Sequence, residues 1–248
     1  MKELILSGVS KRFEIEGRAV NALSDINLEI GENEFVTIVG RSGSGKTTLL
    51  RILAGLEEPT EGRITCGGAV CGKEAPLPAG MVFQEPRLMP WLSAVDNILF
   101  AYPPRERGAS EAEKARKMIA LVGLKGYEEA LPSQLSGGMA QRVALGRALI
   151  KDPEMILLDE PLSALDYFTR RTMQRELIRI YREEKKSFIM VTHDVGEALR
   201  LGTHVIVLKD GAVAYEVRVR MPYPRPRSTP EFQRLIDSVL AAIGESEE

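Results

Sequence analysis

The sequence predicts an α/β fold: a parallel sheet covered on both faces, an antiparallel β subdomain at the N-terminal end, and an inserted α-helical subdomain. Three observations predict it. Apolar and polar residues alternate from residue 1 to about 35 ("ELILSGV", "SDINLEI"), the period of half-buried antiparallel strands. From about 91 to 150 the apolar spacing is mostly helical. Beyond that, short apolar runs alternate with helical segments, as they do when parallel strands are joined by crossovers.

In chain order, "EFVTIVG" is a buried strand ending in glycine, and "KTTLLRILAGL" follows with helical spacing. Gly55 stands where a helix terminator belongs. Residues 57–83 are rich in Gly and Pro and read as short strands and turns. "EAEKARKMIALVGL" is an amphipathic helix, apolar on one face and charged on the other. Then come a strand ("EMILLDE"), a helix ("FTRRTMQRELIRIYREEK"), a strand ("SFIMVTHD"), a helix ("VGEALRLG") and a strand ("HVIVLKDG"). Asp210-Gly211 signals a hairpin. The tail from Met221 is Pro- and Arg-rich and then weakly helical ("EFQRLIDSVLAAI"). The expected partition is antiparallel β over 1–35 and 57–80, core over 36–56, 81–88 and 151–220, helical over 89–150, and a C-terminal extension over 221–248.

A chain of 248 residues buries a substantial core, as one domain with subdomains. The hydrophobic share of 44% and charged share of 27% are ordinary for a globular protein. A net charge of -2 gives no reason to expect nucleic acid as a partner. The start "MKELILSGVSKRFE" lacks the apolar run of a secretory signal, and no window approaches the about 20 apolar residues of a membrane span. A cytosolic chain is therefore expected, with any membrane contact made through a partner. Cys66 and Cys71 are expected to be small, reduced and structural, because two cysteines and two histidines are too few for a metal site.

The chemistry begins at Gly40–Thr47, "GRSGSGKT", which matches the phosphate-loop pattern G-x-x-x-x-G-K-[ST]. It follows an apolar strand and opens a helix, the context the mechanism requires. Glycines let the backbone curl so that successive amides point at phosphate oxygens, making this a P-loop NTPase core. Lys46 supplies a point charge for the outer phosphates, and the Thr47 hydroxyl can ligate Mg²⁺. Adjacent acids at a strand end are usually just solvated. Beside a phosphate loop, however, Asp159 and Glu160 in "MILLDE" read as the residue that serves the metal and the residue that polarises the attacking water.

Gln84 in "GMVFQEP" can coordinate metal or position water, or be a surface glutamine. His193 in "IMVTHD" can hydrogen-bond a terminal phosphate, or simply satisfy a turn. Phe13 can stack on a base, although in isolation a core aromatic is the better reading. "LPSQLSGGMAQRVALGRAL" opens a second helix on a Ser-Gly-Gly turn, with Ser136 as N-cap. Capping alone does not explain the Gly137-Gly138 pair; glycines at a helix start let a phosphate approach the backbone closely. Two copies arranged about a two-fold axis would bring each phosphate loop to the partner's Ser-Gly-Gly turn.

"GRSGSGKT", "FQEP", "LSGGM", "MILLDEP", "SALD" and "VTHD" occur in the order and spacing of ATP-binding-cassette (ABC) ATPases, so residues 1 to 220 resemble that family. The resemblance implies a RecA-like core, ATP and Mg²⁺. It also implies nucleotide contacts from Phe13 and from Gly40, Arg41, Ser42, Gly43, Ser44, Gly45, Lys46, Thr47 and Thr48. Metal ligation falls to Thr47, Gln84 and Asp159, and catalysis to Lys46, Gln84, Glu160 and His193. Gln84 would link nucleotide to a transmembrane subunit. Ser136, Gly137 and Gly138 would contact the γ-phosphate of the ATP held by the other subunit, with Asp166 at the dimer seam. Two departures stand out: Met139 replaces the common glutamine, and Phe13 replaces the frequent tyrosine.

"FQEPRLMPWLSAVDNILF" and the tail "PRPRSTPEF" narrow the resemblance to the ATPases of nitrate, sulfonate and taurine uptake. It implies a homodimer on the cytoplasmic face of the inner membrane, a transmembrane permease and, through it, an extracytoplasmic solute-binding protein. The segment around Pro90-Trp91-Leu92 would then lie near the permease's coupling helix. An exposed Trp91 suits docking, a buried one packing, and the sequence does not choose. The alternatives are an export ATPase, or a soluble ABC ATPase of DNA repair or translation. Paired cassettes or a long coiled-coil insertion would mark the latter, and neither is in the sequence.

Overall fold

The computed structural model describes residues 3–244. In chain order it contains β1 (Leu4–Ile15), β2 (Arg18–Ile30), β3 (Phe35–Val39), α1 (Lys46–Leu53), β4 (Glu61–Cys66), β5 (Ala69–Cys71) and β6 (Ala79–Val82). The helices α2 (Ala94–Leu99), α3 (Ala109–Leu121) and α4 (Gly137–Leu149) follow. The chain then alternates through β7 (Met155–Asp159), α5 (Tyr167–Glu184), β8 (Ser187–Val191), α6 (Val195–Leu201), β9 (His204–Lys209), β10 (Ala212–Arg218) and α7 (Pro230–Ile243). Two compact units result: one from the chain up to Leu77 together with the chain from Ser187 onward, the other from Pro78–Lys186.

The first unit holds two sheets. One is antiparallel, in the order β2-β1-β4-β5, as the N-terminal alternation predicts. In the other, β3 runs parallel to both β8 and β9, and β10 adds an antiparallel edge. Every residue of β3 and β8 is buried, which is why they read as continuous apolar runs rather than alternating ones. The β9–β10 connection is the expected hairpin. Asp210 and Gly211 both have positive φ (52° and 79°), the type I′ geometry that suits the twist of the strands it joins. Gly55 ends α1 at φ 68°, its amide bonded to Ile52 and the next amide to Arg51, which satisfies carbonyls the helix leaves open.

The tail from Met221 is bound into this unit. Helix α7 buries Phe232, Val239 and Ile243 in a cluster with Val39, Val195, Leu199, Val205 and Val207. Arg225, 3% exposed, donates to the carbonyls of Met221, Val219, Leu199 and Gly202 and lies over the Tyr223 ring at 4.2 Å. A buried guanidinium costs too much unless its donors are used, and here they serve the Leu199 and Gly202 carbonyls at the end of α6 and two carbonyls of the segment after β10.

In the second unit, β6 and β7 pair in parallel, and α2, α3 and α4 pack on one another. Helix α5 is capped by Asp166, whose carboxylate accepts from the amides of Phe168 and Thr169. No described helix is long and apolar enough to cross a membrane. Cys66 and Cys71 are half-buried on β4 and β5, and neither forms a disulfide among the described residues.

Candidate active site

In the first unit, β3 delivers the chain at Gly40 and α1 begins at Lys46, so the glycine-rich stretch is the turn between a buried strand and a helix. Gly45 sits at φ 96°, and a Cβ there would lie 2.4 Å from the Ala22 carbonyl oxygen; a Cβ on Gly40 would lie 2.1 Å from that of Leu208. Only glycine fits either position. Lys46 is 6% exposed and arches back over the loop, its ammonium donating to the carbonyls of Gly40 and Arg41, each at 2.8 Å. The Ser44 hydroxyl is buried and finds no hydrogen-bond partner among the described residues. An unsatisfied buried hydroxyl within an amide-lined turn fits a loop whose remaining partner is an anionic ligand. Arg41, Ser42 and Thr47 are exposed, Thr48 partly so.

His193 lies two residues beyond β8, exposed, and lines one cleft of about 540 Å³ together with Gly40, Arg41 and Ser42. Its position is set by neighbours the sequence reading passed over. The Thr192 hydroxyl donates to the buried carboxylate of Glu197 at 2.7 Å, and Asp194 caps α6 by accepting from the Glu197 amide at 2.8 Å. The signal for this knot was in the sequence: Asp194 followed three residues later by Glu197 is the spacing of a capping box. Phe13 belongs to the antiparallel sheet instead, where it is half-buried with the Lys11 ammonium 4.9 Å from its ring, so it is not a core aromatic.

In the second unit, β7 ends at Asp159, and Glu160 follows with φ 44°, a left-handed conformation that costs a residue with a Cβ and marks functional turns. The Glu160 carbonyl accepts from both the amide and the hydroxyl of Ser163, at 3.2 and 3.0 Å. Gln84 donates its amide to that same hydroxyl at 3.1 Å. Gln84 and Glu160 are therefore brought together through Ser163, a residue inside the quoted "SALD" that had been given no role. Helix α4 holds the Gln84 segment from the other side: Gln141 donates to the Phe83 carbonyl at 3.0 Å, and Arg147 to those of Pro86 and Arg87 at 2.7 and 2.9 Å. Burial lowers the pKa of the Arg147 guanidinium without threatening its charge.

At the start of α4, Ser136 caps the helix by accepting from the Met139 amide at 3.3 Å. The two glycines differ. A Cβ on Gly138 would collide with Thr169 Cγ2 at 2.3 Å, whereas one on Gly137 would make an ordinary 3.7 Å contact with Leu165. Gly138 is needed for packing against α5, while Gly137 is exposed and open to a ligand. Asp166 is exposed, and its carboxyl is held below the ordinary aspartate range by the Thr169 hydroxyl and by the Thr169 and Phe168 amides. Trp91 is 72% exposed, so it is not the buried packing residue that the sequence left as one alternative.

The ABC transporter family model matches residues 23–163, more than half of the chain. The chain belongs to the ABC transporter family. An uncharacterized ABC transporter ATP-binding protein of Methanocaldococcus jannaschii is 46% identical over 96% of this chain and 90% of its own length. The aliphatic sulfonates import ATP-binding protein SsuB of Bacillus subtilis is 42% identical over 96% of this chain and 93% of its own. Among solved structures, the ATP-binding cassette MJ0796, in a dimeric post-hydrolysis state bound to ADP and Pi, is 35% identical with a TM-score of 0.76, covering 88% of this chain and 100% of that one. A second dimeric structure of MJ0796, a bacterial ABC transporter cassette, superposes with a TM-score of 0.77 at the same identity and coverage. The fold of this ABC chain is the P-loop ATPase cassette that the motif order implied, and its chemistry is ATP hydrolysis.

Proposed function

We propose that this chain is the ATP-hydrolysing subunit of an ABC importer for a small anionic or organic solute, of which an aliphatic sulfonate is the leading case. The single observation that carries this reading is the match, 42% identical and nearly end to end, to an importer ATPase whose name specifies sulfonate uptake. The subunit sits on the cytoplasmic face of the inner membrane. There it binds a transmembrane permease that receives its cargo from an extracytoplasmic solute-binding protein. Trp91, exposed beside Pro90, faces the permease.

In this reading the amides from Gly40 to Gly45 and the Lys46 ammonium bind the β- and γ-phosphates, with Arg41, Ser42, Ser44 and Thr48 completing the loop and Phe13 beneath the base. Thr47, Gln84 and Asp159 are hard oxygen donors suited to Mg²⁺, which when bound neutralises charge building on the phosphate oxygens. Glu160 accepts a proton from the attacking water, its backbone fixed by Ser163, and His193 donates to the γ-phosphate. Ser136, Gly137 and Gly138 of a second copy complete the site, with Asp166 at the seam. Binding of two ATP molecules closes the dimer, and hydrolysis followed by phosphate release reopens it, which drives the permease between its two states.

Replacing Glu160 by Gln is expected to slow ATP hydrolysis by about 10²–10⁴-fold, the contribution of a general base, while ATP binding persists. In sedimentation, the same variant should shift from monomer to dimer when ATP and Mg²⁺ are added. Full hydrolysis would remove the role given to Glu160, and an unchanged mass would count against the dimer. Purification from detergent-solubilised membranes should bring a polytopic permease with the chain. Recovery of ribosomal or DNA-repair proteins instead would overturn the transport reading.

A further inference from the structure

Helix α7 presents Ile236, Leu240 and Ile243 at helical spacing to the cleft that Arg41, Ser42 and His193 line on its opposite wall. Ile236 and Leu240 remain partly exposed. Arg227, its guanidinium 3.3 Å from the Asp194 carboxylate, closes one side. At about 540 Å³ the cleft combines an aliphatic floor, to which Val195 adds, with a polar rim that holds two guanidiniums, Arg41 and Arg227, and one carboxylate, Asp194. Phosphates account for the guanidiniums but not for the floor, because aliphatic side chains offer an anion nothing.

The same chain carries a feature of matching shape. Tyr167 and Phe168 open α5 immediately after Asp166, with their rings edge to face, 5.4 Å between centroids and 81° between planes. They are 65% and 79% exposed, and Phe168 is the most exposed large apolar side chain among the described residues. Two adjacent aromatics left in water at a helix start are the composition of an interface anchor.

We infer that the Tyr167–Phe168 pair of one copy docks into the α7 cleft of a second copy, so that the C-terminal helix is part of the ATP-driven dimer interface. The inference rests on the dimer reading above and adds to it both a contact and a role for the tail. Three observations favour a second copy over any other occupant. The aromatic pair is continuous with Asp166, the residue assigned to the seam, and the cleft is continuous with Arg41, Ser42 and His193 on the nucleotide-binding face. In a two-fold dimer the contact forms twice, so one pair of surface features contributes two anchors. The rim is chemically suited, because Arg41 and Arg227 can lie against aromatic faces while the aliphatic floor takes the rings. The contact also links closure to α7. The Gly244 carbonyl at the end of that helix accepts from the Arg41 guanidinium at 2.9 Å, so the tail touches the phosphate loop itself.

The test uses the full chain in a Glu160→Gln, Cys66→Ser, Cys71→Ser background, with sedimentation and cross-linking run on the same samples. One preparation carries Phe168→Cys and the other Leu240→Cys. They are mixed with or without ATP and Mg²⁺ and then oxidised, so that only a disulfide between chains can form. A cross-linked dimer that appears with ATP and not without it is the expected result, with Ile236→Cys as a second probe of the same floor. Phe168→Ala should weaken ATP-driven dimerisation at least about tenfold, the effect of losing a buried aromatic anchor, and leave ATP binding to the monomer unchanged. An ATP-dependent dimer that gives no cross-link at either cleft position, or that forms equally well in Phe168→Ala, overturns the inference and leaves the dimer reading standing. No dimer in the background protein overturns both.

Discussion

Gly138 has no room for a side chain, since a Cβ would meet Thr169 Cγ2 at 2.3 Å, while Gly137 has room to spare. Gly138→Ala should therefore destabilise the fold by about 1–3 kcal/mol, as overpacking does, and Thr169→Ser should recover most of the loss by removing the opposing methyl. Gly137→Ala should leave the thermal midpoint unchanged and weaken ATP-driven dimerisation. Melting curves with sedimentation would separate the two roles, and equal midpoints for the two variants would contradict the distinction. Asp166 makes a prediction in pH. Its carboxyl is held below the ordinary aspartate range by hydrogen bonds that exist only in the folded chain. A depressed folded pKa adds stability above the unfolded value of about 3.9, and that stability is lost as pH falls through the folded value. The difference in thermal midpoint between the parent and Asp166→Asn should thus be present at neutral pH and close at pH well below 4.

At the scale of elements, the short turn before α2 is held by one side chain. Asn97 is fully buried; it donates to the carbonyls of Met89, Leu92 and Ser93 and accepts from the Met89 amide at 2.7 Å. Trp91 protrudes from that turn, fixed at its base. Asn97→Ala removes four hydrogen bonds at once and leaves buried backbone groups unsatisfied, so a loss of about 1–3 kcal/mol is expected. Because Trp91 is the sole tryptophan, its fluorescence anisotropy reports the turn directly. The anisotropy should fall in the variant, and an unchanged value would mean that Asn97 does not hold the turn. Helix α4 shows a similar economy, carrying the Ser136–Gly138 turn at one end and, through Gln141 and Arg147, the Gln84 segment along its length.

At the scale of the whole molecule, the tail is structural before it is anything else. Phe232 is fully buried among Val39, Val195, Leu199, Val205 and Val207, so Phe232→Ala should cost about 3–5 kcal/mol, readable as a drop in denaturant midpoint. A midpoint equal to the parent's would show that α7 contributes nothing to the core. The composition of residues 221–248 hid this. Its prolines and arginines read only as a C-terminal extension ending in a weak helix, because a buried Arg225 satisfied by four carbonyls has no local sequence signature.

The sequence by itself determined the order of strands and helices, the identity of the phosphate loop and the ATPase family. Each of these is written in local period or in a motif whose glycines, lysine and acids the chemistry demands at fixed spacing. It also singled out both residues that Ser163 joins, Gln84 and Glu160, as candidates. Tertiary structure alone decided that Ser163 joins them, that Trp91 faces water, and that Gly137 and Gly138 differ. These facts depend on which distant segments meet. A hydrogen bond across 79 residues, or a methyl 2.3 Å from a missing Cβ, leaves no trace in the spacing of the chain that makes it.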